Sequence, residues 1–162
     1  MKCINDKERI VRCSIVGDSF VGKTALIKTF LRDDENTDEC TSTVFDNFAG
    51  VVPLAEGDYT VSIFDTTGQH DFDGLRHFPY SQSNVVIVCY SVTDRTSFNN
   101  VSQFWVPEIK KYGKKSTTII LAATHCDINN ANFADIRRNE GISLANNIGA
   151  FSLGTGKSVN AD

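Results

Sequence analysis

The stretch GDSFVGKT, Gly17 to Thr24, constrains this chain more than any other. It fits the pattern G-x-x-x-x-G-K-[ST], and the flanks it needs are present. IVRCSIV (10–16) reads as a strand before it. GKTALIKTFLR (22–32) reads as a helix after it, with Leu26/Phe30 and Ile27/Leu31 at helical spacing. Such a loop cradles phosphate: backbone N–H groups of the loop and of the helix N-terminus point at the anion, Lys23 adds a cation, and the Thr24 hydroxyl can hold Mg²⁺. Gly17, Asp18, Ser19, Phe20, Val21, Gly22, Lys23, Thr24 and Ala25 are therefore candidate phosphate-binding residues. The competing reading is a plain glycine-bounded turn. Ser19 and Phe20 put side chains where an attacking water or a helper arginine would enter.

The rest of the chain supplies a setting for that loop. TVFDNFAGVV (43–52) and YTVSIFD (59–65) read as a strand pair turning at Glu56-Gly57-Asp58. NVVIVCY (84–90) and TTIILAA (117–123) are short unbroken apolar runs, as parallel strands covered on both faces require. Between them Phe98, Val101, Trp105, Ile109 and Tyr112 form a helical stripe, expected to kink near Pro107. A last helix is expected from about Asp135 to Ile148, and beyond Ala150 a sixth strand is expected to be nearly absent. Alternating strands and helices around apolar central strands argue for a single α/β domain with a doubly wound, mostly parallel sheet. GTGKS (154–158) resembles the end of a second phosphate loop, but position 151 is Phe and no clear strand precedes it, so it reads as a surface turn.

Composition excludes several classes. A net charge of −4 gives no overall basic surface for nucleic acid, and no apolar run reaches membrane-spanning length. The five cysteines form no CxxC pair and three lie in or beside apolar runs, which points to reduced thiols and a cytoplasmic protein.

In order, GDSFVGKT, TVFDNF, FDTTGQHDFDGLRHF, VCYSVTDRTSF and FWVPEI resemble a small GTPase of the Rho family, on its Rac-like side, from about Ile10 to Asp127. The resemblance implies the P-loop NTPase fold, GTP/GDP and Mg²⁺ as ligands, and effectors, exchange factors and GTPase-activating proteins as partners. It implies that Thr24 and Thr43 are Mg²⁺ ligands, with Asp65 reaching the ion through water. Thr43 and the Gly68 N–H would sense the terminal phosphate, and Gln69 would orient the attacking water. Val44, Phe45 and Asp46 would face effectors. Thr124, His125, Asp127, Ser152 and Leu153 would surround the base. Read without the resemblance, Asp65 and Asp127 could each be turn carboxylates, Thr43 a strand-edge threonine and Gln69 a solvated loop residue.

The chain also departs from that family's pattern. Ser19, Phe20 and Thr67 replace smaller residues around the terminal phosphate, so slow hydrolysis is expected. His125 stands where a lysine would stack on guanine, and Asn36 where an aromatic would, so fast exchange is expected. Switch two departs at His70 and Gly74. The segment from Asp127 to Glu140 is expected to lack the family's extra helix, and a final helix is expected to be missing. SVNAD carries no C-a-a-X box, so no stable prenyl anchor is expected. Two readings remain open: a GTP/GDP switch acting on actin and cell shape, and a pseudo-GTPase that presents TVFDNF without cycling nucleotide.

Overall fold

A computed structural model gives the fold and describes residues 9–31, 45–66, 68, 73–127 and 136–154. Thr43, Val44, Thr67, Gln69, His70 and Asn36 lie outside them, as do the segment 128–135 and the residues after Gly154.

Strand β1, Ile10–Val16, leads through the phosphate loop into helix α1, Lys23–Leu31. Strands β2, Phe45–Leu54, and β3, Gly57–Thr66, form an antiparallel hairpin. Its register pairs Leu54 with Gly57, so Ala55 and Glu56 make the turn, slightly earlier than the sequence places it. Gly57 follows at φ +121°, a conformation suited to glycine. Helix α2 is Asp73–Gln82 and strand β4 is Val85–Ser91.

The expected kink near Pro107 is a wider irregularity. Helix α3, Arg95–Asn100, passes through a π turn, Val101–Trp105, into helix α4, Val106–Tyr112. The Val106 N–H reaches back five residues to the Val101 carbonyl. Pro107 has no N–H to continue the normal ladder, and a widened turn just before it accommodates that loss. Strand β5 is Thr118–Thr124 and helix α5 is Arg138–Ile148.

The sixth strand is present in the shortened form the sequence reading allowed. Strand β6, Phe151–Gly154, is short but regularly paired, with Phe151 beside Ile120 and Gly154 beside Ala123. Sequence patterning leaves it faint because four residues are too few to show a period.

The sheet runs β2-β3-β1-β4-β5-β6, antiparallel only at β2. On one face Val86, Val88, Tyr90 and Leu121 pack with Trp105, Ile109 and Ala145 of the helices. On the other Cys13, Ile15, Cys89 and Ala122 pack around Ile27 of α1. Burial pushes the Cys13 and Cys89 thiols up to about 12, so both stay protonated, in keeping with their place in apolar runs. Among the described residues no helix is long and apolar enough to cross a membrane.

Candidate functional site

At the carboxyl ends of β1, β3, β4 and β5 the phosphate loop is held from every side. Gly17 stands at φ +140°, and a Cβ there would come within 2.3 Å of the Cys89 carbonyl oxygen, so only glycine lets β1 leave the sheet this close to β4. The Thr124 hydroxyl lies 2.7 Å from the Val21 carbonyl and 2.9 Å from that of Tyr90, which ties the loop to β4 and β5. Inside the loop, Lys23 Nζ donates to the carbonyls of Gly17 at 2.9 Å and Asp18 at 2.8 Å. Burial lowers the Lys23 pKa, against the opposing pull of the Asp65 and Asp18 carboxylates. The lysine is thus desolvated and poised to trade carbonyl partners for phosphate oxygens.

Thr24 and Asp65 meet below it. The Thr24 hydroxyl donates to Asp65 Oδ2 at 2.5 Å, while Asp65 Oδ1 is buried with no hydrogen-bond partner among the described residues. Burial raises the Asp65 pKa, with the Thr24 hydrogen bond and then Lys23 acting the other way. A buried carboxylate with an open oxygen beside a threonine hydroxyl fits a hard divalent cation such as Mg²⁺.

The loop mouth is less ordinary. Phe20 adopts φ +63°, a left-handed conformation that a large side chain rarely takes, and the residue is 68% exposed. The ring therefore stands out in solvent rather than packing into the cradle. Gly68 lies against the loop: a Cβ there would be 2.3 Å from the Ser19 nitrogen and 2.4 Å from the Asp18 carbonyl carbon. Ala25, exposed in the first turn of α1, adds only its backbone to this end of the helix.

At the other end of the site, His125 sits at φ +58° with Nδ1 2.8 Å from the Ser91 hydroxyl. Its Nε2 edge faces Gly22, 3.6 Å from where a Cβ would stand. Asp127 is exposed on the following turn, and Ser152 and Leu153 are exposed on β6. Thr124 is buried at the end of β5, its hydroxyl lying between the Val21 and Tyr90 carbonyls. Asp46 is exposed on β2, which Phe45 opens.

Sequence reasoning missed two arrangements. Trp105 Nε1 donates to Asp18 Oδ1 at 2.7 Å, and Asn100 Nδ2 donates to Asp18 Oδ2 at 2.6 Å. A lone tryptophan in a buried stripe needs a partner for its N–H, which was the one available signal. The second arrangement is Arg76, fully buried on α2. It pairs with Glu108 at 2.9 Å, and Tyr80 donates to the same carboxylate at 2.7 Å.

A Ras family model matches residues 12–158. Ras-like GTP-binding protein RhoL of Drosophila melanogaster is 36% identical over 151 residues, which cover 93% of this chain and 78% of that protein. A phosphate loop in the required strand–helix setting, with a match spanning nearly the whole chain, places the protein in the Ras family of small GTPases.

Proposed function

We propose that the chain is a Rho-type GTP/GDP switch with slow hydrolysis and fast exchange, acting through effectors on the actin cytoskeleton and cell shape. As a Ras-family protein it binds GTP and GDP with Mg²⁺ and hydrolyses GTP. The observation that carries the reading is the desolvated Lys23 beside the Thr24–Asp65 pair, a cation and a metal-type donor set on one strand-ended loop.

In this reading Lys23 releases the Gly17 and Asp18 carbonyls and grips the outer phosphates. Thr24 and Thr43, with Asp65 through water, would hold Mg²⁺, which would supply positive charge against the phosphates. The Gly68 N–H meets the terminal phosphate, and Gln69 orients the attacking water. Asp127 accepts hydrogen bonds from guanine, with Thr124, His125, Ser152 and Leu153 around the base. Val44, Phe45 and Asp46 present the nucleotide state to effectors, exchange factors and activating proteins, in a protein working in the cytoplasm. The exposed Phe20 ring at the mouth supports resistance to a helper arginine, whose loss is worth about 10³–10⁵ in rate. Nucleotide extracted from purified protein and identified by chromatography tests the binding, and single-turnover hydrolysis tests the rate. Guanine nucleotide at one per chain with slow, Gln69-dependent turnover is expected; its absence, with no uptake of a fluorescent guanine nucleotide, would overturn the reading.

One observation favours the second reading, a binding module that does not cycle. Gly68 rests so close to the Asp18–Ser19 peptide that a Cβ there would clash with it, and a segment packed this tightly on the loop is less free to respond to a terminal phosphate. Effector binding that is equal with GTP and GDP would select this reading.

A further inference from the structure

An acidic residue inside an anion cradle calls for an explanation. Asp18 is the second residue of the phosphate loop, and its carbonyl is one of the two that hold Lys23. Its carboxylate would repel a bound phosphate and compete for Lys23 if it turned inward. It does not turn inward. Each carboxylate oxygen has its own donor on the helical layer beside the sheet: Oδ1 takes the Trp105 indole N–H at 2.7 Å, and Oδ2 takes the Asn100 amide at 2.6 Å.

The geometry of the donors is itself constrained. Trp105 is fully buried, with the Arg76 guanidinium 5.1 Å from its ring centroid and Phe104 edge-on at 4.9 Å. It closes the π turn, Val101–Trp105, and Asn100 stands immediately before that turn. The widened turn therefore separates the two donors that converge on one carboxylate. Such turns recur at functional sites.

We propose that Trp105 and Asn100 are positioning residues of the nucleotide site, holding the Asp18 carboxylate away from the bound phosphates so that nucleotide residence depends on this restraint. The inference rests on the guanine-nucleotide reading above and adds to it two residues outside the loop. It carries a sign that a purely structural role lacks. Losing either donor is harmful because Asp18 is charged, so removing the charge also removes the harm.

The test is release of a fluorescent GDP analogue, in Mg²⁺, from the full chain and its W105F, N100A, D18A and W105F/D18A variants. W105F keeps an aromatic ring and loses only the donor and some volume. W105F and N100A are each expected to speed release about tenfold, the scale of one charge-assisted hydrogen bond. The double variant is expected to release no faster than D18A alone. Effects of W105F and D18A that multiply, or W105F and N100A rates equal to wild type, would overturn the inference. N100A, at a half-buried position, carries the test if W105F fails to fold. Trp105 is the chain's single tryptophan, so one indole N–H resonance reports the contact. That resonance is expected to move in D18A, and a peak that stays in place would overturn the contact. If wild type bound no guanine nucleotide, the reading of the site would fall and the inference with it. Intact binding that is indifferent to both donors would overturn the inference alone.

Discussion

Phe20 and Asp65 show how single residues here carry a cost that the site accounts for. A phenylalanine at φ +63° is strained, and with its ring largely in solvent it recovers little from packing. Phe20→Gly is therefore expected to stabilise the fold by about 1 kcal/mol, a rise in Tm of about 2–4 °C for a chain of this size. Thermal unfolding checks it, and an unchanged or lower Tm would mean the ring has packing contacts worth more than the strain. Asp65 has the opposite chemistry. Burial raises its carboxyl pKa, so the folded state holds this proton more tightly than the unfolded chain does. The sign follows: its ionised form opposes folding above the folded pKa, and the opposition fades as the pH falls through it. Without metal or nucleotide, Asp65→Asn is expected to raise Tm at neutral pH and to leave it nearly unchanged at acid pH. The same variant should lose the rise in Tm that Mg²⁺ gives the wild type. A neutral-pH Tm below wild type in EDTA would show that the carboxylate is better solvated than its burial implies.

At the scale of elements, two contacts join neighbouring elements in ways that strand and helix patterns do not announce. Arg76 of α2 is fully buried, and the Glu108 carboxylate of α4 is its charge partner, with the Tyr80 hydroxyl on the same carboxylate. Glu108→Ala is expected to cost about 3–5 kcal/mol in urea unfolding, because it leaves a guanidinium buried without that partner. Replacing both, as Arg76→Met with Glu108→Leu, should recover most of the loss, and a double variant as unstable as the single one would refute the charge argument. The second contact lies between β4 and α5. Gly141 sits inside α5, where alanine ordinarily gains about 1 kcal/mol, yet a Cβ there would come within 2.3 Å of the Tyr90 hydroxyl oxygen. Gly141→Ala is expected to destabilise the wild type and to become neutral or stabilising in a Tyr90→Phe background. Calorimetry of the four proteins decides this. Elements were legible where the run is long enough to show its pattern, as in β1, read to the residue, and in α1, read within one residue at each end. They were not legible where geometry depends on a missing N–H, as at the π turn, and only faintly where four residues pair by neighbourhood alone, as in β6.

Across the whole molecule, the phosphate loop is where both layers converge. Its glycine abuts β4, its Val21 carbonyl meets β5 through Thr124, its Asp18 reaches the α3–α4 layer, and Thr24 grips Asp65 at the end of β3. The loop's identity and place were legible from Gly17 to Thr24 because its chemistry is local in sequence. Its anchors were not legible, because Thr124 and Trp105 lie about a hundred and about ninety residues away and nothing in their own neighbourhoods names a partner. A ligand bound at such a junction should stabilise the whole fold rather than one segment. With GDP and Mg²⁺ at a hundred times the dissociation constant, mass action supplies about 2.7 kcal/mol, or about 5–11 °C in Tm for a chain of this size. Lys23→Ala should remove most of that shift. Its own stability without nucleotide should stay close to wild type, since among the described residues the buried lysine is satisfied by two loop carbonyls, and its loss also removes a desolvated charge. Thermal scans across a GDP series separate the alternatives. A shift that survives Lys23→Ala would place the nucleotide elsewhere. A variant that unfolds without ligand would make Lys23 a structural tie of the loop rather than its phosphate ligand.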